Sequence, residues 1–381
     1  MKIVYARAGT STYDKMFADF LALNHRVDLV TVDAPTSQIY LAMKSTAHQI
    51  KVYGGDWRRY WRRPIPWVLA QDSFGLTTIC RQIVRLAPDV VVSGWIPTYG
   101  FYVAMSGFHP HVLLIWGSDV LLHPQRSRLC LLKTLFTLRK ADMVVVDSDV
   151  QKEAAIRYGC DPRKILCFPW AVDLNRFSPR HALSERSGED RRTVLCTRIH
   201  ESIYGIEYLL EAIPLVVDKI PATRFVFAGS GSLTDRYREF VSKHCLDENV
   251  EFLGLVPHEK MPRILVSCDV YVTPSLSDGS SATLLEAMAC AKPCVASDIP
   301  GNREWINDGV NGILVAPRDP QSLAEAVIRL LKEPETAGRL GRQARATVEQ
   351  KADLRKNLDF FESRLIELVE RVRSPKKKAD D

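Results

Sequence analysis

The sequence predicts an α/β protein made of two doubly wound, Rossmann-like domains, each with a parallel sheet between layers of helices. Short runs of β-branched and other apolar residues alternate with longer amphipathic stretches along both halves of the chain. This alternation is typical of buried parallel strands joined by helices. The length of 381 residues also exceeds what one hydrophobic core usually organises, and suits two domains of about 150–200 residues.

The predicted strands are short and almost continuously apolar, as expected where a sheet is covered on both faces. In the first half they lie at 2–5, 27–32, 90–92, 112–115 and 143–146. In the second half they lie at 193–197, 224–228, 250–253, 270–272, 294–296 and 312–315. Helices are predicted at 12–23 and 129–139, and at 353–372, where apolar residues recur at spacings of three, four and seven.

A polar stretch divides the two halves. Residues 178–192 contain few apolar side chains, which is typical of an interdomain linker. The lysine-rich end of the chain is expected to be disordered. The expected organisation is a first domain at 1–178, a linker at 179–192, a second domain at 193–352, a C-terminal helix at 353–373 and a disordered tail at 374–381.

Composition and charge narrow the class of protein. No apolar run reaches the roughly 18 residues that a membrane-spanning helix needs, and the short apolar stretch after Lys2 favours a strand over a signal peptide. A cytoplasmic location is therefore expected. The formal net charge of +6 is mild, and fits a phosphate-bearing ligand, a weak affinity for anionic lipid, or no particular partner. Nucleic acid is not an expected partner, because the basic residues form no long stripe and no nucleic-acid-binding motif accompanies them.

The most informative segment is 274–289, Pro-Ser-Leu-Ser-Asp-Gly-Ser-Ser-Ala-Thr-Leu-Leu-Glu-Ala-Met-Ala. It follows a predicted strand and leads into an apolar helix, an arrangement that points unpaired backbone N–H groups at an anion such as phosphate. Gly279 allows a ligand close to the backbone, Ser280 or Ser281 can cap the helix, and Glu286 can accept hydrogen bonds from vicinal hydroxyls. An ordinary capped helix explains the same residues equally well, so both interpretations stay open on the residues alone.

The two acids of this segment, Asp278 and Glu286, are separated by seven residues. With the stretches 292–304 and 308–312, this spacing resembles the signature of the retaining family-4 glycosyltransferases of the GT-B fold. The resemblance implies two Rossmann-like domains that face each other across a cleft, with the C-terminal helix crossing back to the first domain. The family usually has Glu in place of Asp278, a difference that can shift the sugar preference.

The same resemblance implies roles for the residues of the segment. Asp278 would contact hydroxyls of the donor sugar, and Glu286 would bind the ribose of the nucleotide. The diphosphate would meet backbone N–H groups of five consecutive residues, Gly279, Ser280, Ser281, Ala282 and Thr283.

Arg198 is a second element of the resemblance. It follows a predicted strand, where a guanidinium can neutralise the charge that builds on a leaving diphosphate. Taken alone, a surface ion pair is the favoured explanation of Arg198. The family places a lysine before the next glycine, but here Tyr204 precedes Gly205 and the spacing is one residue longer. His200 or Arg303 would have to replace the missing cation.

Two further turns belong to the nucleotide side by resemblance. Gly229 and Gly231 follow a predicted strand and would line the nucleotide. Leu255 and Val256 lie in a loop whose backbone would bind the edge of the base. Each turn is also explained as a plain connection at a strand end.

The first domain is expected to bind the acceptor. Gly9 and Thr10 lie in a turn after the first strand that allows close ligand approach. Trp116, Ser118 and Asp119 resemble the family's His-Gly-Ser/Thr-Asp element, with Trp116 in place of the histidine, so a mechanism that uses that histidine does not transfer. For Asp119, a structural hydrogen-bonding role is favoured over a contact to the acceptor.

Residues 53–67 interleave four arginines with three tryptophans and two tyrosines. Aromatic rings favour the membrane interface, and arginines favour anionic head groups. One hypothesis is therefore peripheral contact with the inner face of the membrane; the other is a helix that packs its tryptophans inward and leaves the arginines in solvent. The residues of the membrane hypothesis are Trp57, Arg58, Arg59, Trp61, Arg62 and Arg63.

The resemblance implies an enzyme that transfers a hexose from a nucleotide diphosphate sugar to a hydroxyl acceptor with retained configuration. The acceptor would be a lipid-linked or cell-surface glycan precursor, as in polysaccharide synthesis. The donor-site segment 274–289 contains no Asp-x-Asp metal motif, so neither a metal nor another cofactor is expected to be required. Two alternatives remain open: a GT-B-like nucleotide-sugar epimerase, and a non-catalytic nucleotide-sugar-binding protein, which the residues at Tyr204 and Trp116 would allow.

Overall fold

A computed structural model describes residues 1–6, 12–31, 50–54, 67–169, 171–180 and 191–374 of the chain. The chain forms two compact units. The first comprises Met1–Phe168 together with Leu358–Asp381, and the second comprises Pro169–Asn357. Each unit is an α/β structure with a parallel sheet. Among the described residues, no helix is both long and apolar enough to span a bilayer.

The first unit is built on a seven-stranded sheet in the order β3-β2-β1-β4-β5-β6-β7. Its strands are β1 Lys2–Ala6, β2 Arg26–Thr31, β3 Ile50–Gly54, β4 Val90–Gly94, β5 His111–Leu114, β6 Met143–Val146 and β7 Ile165–Cys167. Every residue of β4, β5 and β6 is buried. Helices therefore cover both faces of the sheet, which explains the apolar runs of the sequence.

Among the described residues, six α-helices connect these strands: α1 Thr12–Asn24, α2 Trp67–Leu86, α3 Phe101–Ser106, α4 Ser118–Leu121, α5 Arg128–Lys140 and α6 Asp149–Arg157. Helix α5 begins where the Ser127 hydroxyl accepts a hydrogen bond from the Cys130 amide. Helices α2, α3, α5 and α6 pack on one face of the sheet. The crossover from β1 to β2 runs in the opposite direction, and its right-handedness places α1 on the other face.

The second unit has a six-stranded sheet in the order β10-β9-β8-β11-β12-β13. The strands are β8 Arg192–Cys196, β9 Thr223–Phe227, β10 Val250–Phe252, β11 Val270–Thr273, β12 Cys294–Ser297 and β13 Ile313–Val315. The helices are α7 Ile206–Lys219, α8 Thr234–Lys243, α9 Met261–Ser267, α10 Ala282–Ala289, α11 Pro300–Arg303, α12 Pro320–Lys332 and α13 Pro334–Lys351. Along β11, Val270 and Val272 face one apolar cluster and Tyr271 faces the other, so both faces are again buried.

The last helix, α14 Leu354–Arg373, begins in the second unit and continues into the first. There the Phe361 ring lies edge-on to Phe17, with 5.6 Å between ring centroids, and also contacts Phe168. The predicted return of the C-terminal helix to the first unit is therefore confirmed, as is the prediction of two doubly wound α/β domains.

Two strands were not predicted, and three predicted segments lie wholly or mostly outside the residues that the structure describes. Strands β3 and β7 are the edge strands of the first sheet, and neither belongs to the predicted set. Most of the expected linker at 179–192 and nearly all of the tail at 374–381 lie outside the described residues, as does the segment from Trp57 to Arg63.

Candidate functional site

The second sheet changes direction between β8 and β11. These strands are parallel neighbours, with Val270 opposite Val194, but the chain order runs outward from them on both sides. In open α/β sheets, ligands bind at such a switch point, outside the carboxyl ends of the two strands. Arg198 follows β8 and Asp278 follows β11, so the topology alone brings these two predicted site residues to the same edge.

Arg198 connects the two loops at this edge. Its Nη2 donates to Asp278 Oδ2 at 2.6 Å, and its Nη1 donates to Ser281 Oγ at 2.8 Å and to Thr283 Oγ1 at 3.0 Å. The Arg198 side chain is only 8% exposed. Four residues predicted to belong to one site therefore form a single hydrogen-bonded cluster around a buried guanidinium.

Tyr204 lies against the same guanidinium, with Cζ of Arg198 4.1 Å from the centre of its ring. Burial, the largest single influence on the pKa of Arg198, lowers it, but Asp278, followed by Tyr204, Tyr271 and Cys196, together outweigh burial and the pKa is raised. The guanidinium therefore stays charged. At the position expected to carry a second cation, the chain instead offers an aromatic face to the existing one.

The turn that carries Tyr204 is fixed by the following glycine. Gly205 has a φ of 59°, and a Cβ there would lie 2.3 Å from the carbonyl oxygen of Pro274. The Leu276 amide also donates to the Ile203 carbonyl at 2.9 Å. Only glycine allows this approach of the Tyr204 turn to the end of β11.

The two residues considered as replacements for the missing cation have other partners. His200 is fully buried, its Nδ1 lies 2.8 Å from Thr234 Oγ1, and burial followed by the charge of Arg238 lowers its pKa. Arg303 is exposed, and its Nη2 donates to Asp298 Oδ2 at 2.8 Å.

Helix α10 starts without a side-chain cap. Ser281 occupies the capping position, but its hydroxyl bonds Arg198 and makes no hydrogen bond to a helix amide. The Ser280 hydroxyl accepts a hydrogen bond from the indole of Trp305 at 2.7 Å. The serine cap expected from the sequence is thus absent, because Arg198 and Trp305 engage both hydroxyls. The first amides of α10 remain available to an anion.

Helix α11 packs against the backbone of the loop 274–281, which joins β11 to α10 and which we call the elbow. A Cβ on Gly301 would lie 2.2 Å from the carbonyl oxygen of Gly279 and 2.5 Å from that of Asp278. Ala282 begins α10 and is partly exposed, like Thr283 beside it. The elbow therefore presents backbone and small side chains rather than bulky groups.

Glu286 lies one turn into α10 and is 4% exposed. Its Oε1 lies 2.7 Å from Nε2 of His258, a residue in the turn after β10. The His258 ring in turn packs on Phe177, with 5.3 Å between centroids. Neither His258 nor Phe177 was predicted from the sequence as a site residue. The one available signal was that His258 directly follows the loop of Leu255 and Val256.

The predicted nucleotide-side turns have a clear packing role. A Cβ on Gly229 would lie 2.3 Å from the Arg198 carbonyl oxygen, and one on Gly231 would lie 2.5 Å from that of His200. These glycines let the loop after β9 pack on the loop that carries Arg198. Leu255 is 78% exposed, whereas Val256 packs against the core.

In the first unit, Asp119 is fully buried. Its carboxylate accepts hydrogen bonds from the Trp116 amide at 3.0 Å and the Ile96 amide at 3.3 Å. It thereby joins the loops after β4 and β5, which agrees with the favoured structural role. Ser118 starts α4. Gly9 and Thr10 lie outside the described residues. Within the described ranges, no group of three or more His, Cys, Asp or Glu side chains is arranged to hold a metal ion.

Comparison with known families gives two matches. The family described as Glycosyl transferases group 1 matches residues 180–347, and the family described as Glycosyl transferase 4-like matches residues 2–148. Together they cover most of both units.

Similar curated proteins include two transferases named for inositol-containing compounds. One is a component of phosphatidylinositol N-acetylglucosaminyltransferase from Arabidopsis thaliana, 32% identical over 195 residues, which are 50% of this chain and 42% of that protein. D-inositol 3-phosphate glycosyltransferase of Geodermatophilus obscurus is 32% identical over 210 residues, which are 51% of this chain and 47% of that protein. The chain thus spans about half the length of these relatives.

Similar solved structures cover nearly the whole chain. Anabaena Alr3699/HepE in complex with UDP-glucose matches with a TM-score of 0.81 and 19% identity, over 97% of this chain and 100% of that one. Sucrose-phosphate synthase from Thermosynechococcus elongatus matches with a TM-score of 0.80 and 19% identity, over 96% of this chain and 98% of that one. Residues 180–347 therefore match the group 1 glycosyltransferase family, residues 2–148 match the glycosyl transferase 4-like family, and the chain as a whole has the GT-B fold.

Proposed function

We propose that this protein transfers a sugar from a nucleotide diphosphate donor to a hydroxyl group of an acceptor. The observation that carries the proposal is the Arg198 cluster, in which one buried, charged guanidinium joins Asp278, Ser281 and Thr283 at the uncapped start of α10. A pre-organised cation beside free helix amides suits the charge that develops on a departing diphosphate.

The diphosphate is placed at the start of α10, where the amides of Ala282 and Thr283 donate to it. Arg198 supplies the positive charge, held in place before the ligand arrives by its three side-chain hydrogen bonds. Asp278 uses Oδ2 for Arg198 and keeps Oδ1 for a hydroxyl of the donor sugar. This division lets one carboxylate both orient the cation and hold the sugar.

Glu286 is assigned to the ribose, with His258 orienting its carboxylate through the 2.7 Å contact. Two structures with the same fold contain UDP or UDP-glucose, so a uracil nucleotide is the first donor to test. Leu255 is 78% exposed and lies three residues before His258, and the backbone of this loop is assigned to the base.

The acceptor is proposed to be a hydroxyl on a lipid-linked or glycan-precursor molecule. Of the relatives, one is named for phosphatidylinositol and another for inositol 3-phosphate, both of which carry hydroxyl groups. The reaction is proposed to retain the anomeric configuration: the acceptor oxygen attacks from the face that the diphosphate leaves, and the departing phosphate oxygen takes the hydroxyl proton. No metal or other cofactor is invoked in this scheme.

The test is product analysis with the full-length chain and a panel of UDP-, GDP- and ADP-sugars, each with and without a lipid extract as acceptor. A transferase releases nucleoside diphosphate only when acceptor is present. Release of an isomerised donor without acceptor would establish an epimerase instead, and binding without turnover would establish a non-catalytic protein. The anomeric configuration of the product, read by NMR, decides the stereochemical part.

Arg198→Lys provides the matched variant, because it keeps the charge but loses the planar fork. Its kcat/KM is expected to fall by about 10²-fold. Arg303→Lys is the control, since that exposed arginine pairs with Asp298, outside the cluster. Equal loss in both variants would contradict the assignment of Arg198.

A further inference from the structure

The outer face of α5 carries apolar residues where a helix on a soluble domain normally turns polar ones to water. Leu129 is 53% exposed and Leu132 is 61% exposed. Phe136, four residues further along the same face, is half-buried. The spacing of three and four places these side chains in one stripe along the helix.

The stripe continues onto the neighbouring helix α3. The Phe101 ring meets the Phe136 ring edge-on, with centroids 6.0 Å apart. Met105 follows Phe101 by one helical turn and is 45% exposed. Leu129, Leu132, Phe136, Phe101 and Met105 together form what we call the α3–α5 patch.

Basic side chains surround this patch. Lys133 Nζ lies 4.8 Å from the centre of the Phe101 ring, and Lys140 Nζ lies 6.0 Å from that of Phe136. Arg126 and Arg128 are exposed at the start of α5. The sequence from 120 to 141 contains five Lys and Arg residues and no Asp or Glu, so no acidic side chain of this segment offsets their charge.

We propose that the α3–α5 patch docks the protein on an anionic lipid bilayer. The leucines and Phe136 enter the boundary between head groups and acyl chains, while the lysines and arginines meet the anionic head groups. A second copy of the chain is a poorer occupant, because a symmetric contact would oppose the same basic residues. This inference is independent of the transfer reaction and of the aromatic segment at 53–67.

The test is co-sedimentation of the full-length protein with vesicles of phosphatidylcholine, with and without phosphatidylglycerol. The wild type is expected to sediment with the anionic vesicles only, and less so at high salt because added ions screen the head groups. A Leu129→Gln, Leu132→Gln double variant is expected to partition about tenfold more weakly. Lys133→Gln combined with Lys140→Gln is expected to bind less and to lose part of the salt dependence.

Leu23→Gln is the matched control, because Leu23 is 74% exposed on α1, on the opposite face of the sheet. This variant is expected to bind vesicles like the wild type. Circular dichroism and thermal melting check that each exposed-site variant remains folded. The proposal is overturned if the wild type ignores anionic vesicles, or if the Leu129/Leu132 variant binds them equally well. A concentration-dependent dimer that this variant abolishes, without vesicle binding by the wild type, would also overturn it and identify a second copy as the occupant.

Discussion

The guanidinium carbon of Arg198 lies over the ring of Tyr204, 4.1 Å from its centre, where the loops that follow β8 and β11 meet. Resemblance to family-4 enzymes placed a lysine at this position. In this chain, the aromatic ring lies over a cation that three hydrogen bonds already hold in place. Tyr204 thus supports the charge of Arg198 rather than adding to it.

Substitution of Tyr204 separates the role of the ring from that of the hydroxyl. Tyr204→Phe keeps the cation–π contact and should leave nucleotide affinity close to wild type. Tyr204→Leu removes a contact worth about 1 kcal/mol, so UDP binding measured by calorimetry should weaken roughly fivefold. Equal affinities for the Leu and Phe variants would show that the ring plays no part.

Replacement of Glu286 tests the nucleotide assignment. Glu286→Ala should raise the Kd for UDP by about 10- to 100-fold, because each hydrogen bond to a charged group contributes about 1.5–3 kcal/mol. Glu259→Ala, at an exposed acid near His258, is the control and should bind normally. Unchanged affinity in Glu286→Ala would contradict the assignment.

His258 should act on the nucleotide through Glu286, to which it lies within 2.7 Å. His258→Gln retains a hydrogen-bond donor and should keep most of the affinity for UDP. His258→Leu leaves the buried carboxylate without this partner and should weaken binding by about tenfold. If the Gln variant lost as much as the Leu variant, the imidazole itself would be the required group.

Gly205 should tolerate no side chain. Gly205→Ala combines a left-handed φ with a Cβ 2.3 Å from the Pro274 carbonyl oxygen, and should lower the free energy of unfolding by about 2–4 kcal/mol. Gly254→Ala is the matched control, since its φ is 67° but nothing lies within 4 Å of the added Cβ. The Gly254→Ala variant should lower the free energy of unfolding, measured by urea denaturation, by only about 1 kcal/mol. Similar costs at both positions would show that the approach to Pro274 is not tight.

His111 should make stability depend on pH. It is fully buried, with Nε2 2.7 Å from Ser93 Oγ, and burial is the main cause that lowers its pKa from 6.5 to about 3. Below pH 6.5 the unfolded state binds this proton and the folded state does not, so stability falls as pH drops from 6.5 towards 3. Between these two pH values, the slope of the free energy of unfolding against pH approaches about 1.4 kcal/mol per pH unit. In urea titrations at pH 7 and pH 5, His111→Gln should lose this part of the pH dependence; an unchanged slope would contradict the prediction.

The fold was predictable because its strands are buried on both faces. The predicted runs at 90–92, 143–146 and 270–272 all lie within observed strands, since central parallel strands need continuous apolar side chains. Strands β3 and β7 escaped prediction, whereas β10 and β13, the edge strands of the second sheet, were predicted, so an edge position does not by itself explain the two misses. In β3 the apolar run is interrupted by Lys51, and β7 has only three residues.

The candidate site was only partly predictable. Arg198 and Asp278 lie at strand ends that the topology brings together, which a sequence pattern can indicate. The contacts of Tyr204 with Arg198, of Trp305 with Ser280 and of His258 with Glu286 join residues distant in the chain. A local sequence pattern cannot predict such contacts, because they depend on how the loops that follow separate strands pack against each other.

The passage of α14 from the second unit into the first has a consequence for synthesis of the protein. Phe361 is fully buried beside Phe17, and the whole second unit lies between these two residues in the chain. The ribosome must therefore synthesise the second unit before the first can complete this part of its hydrophobic core.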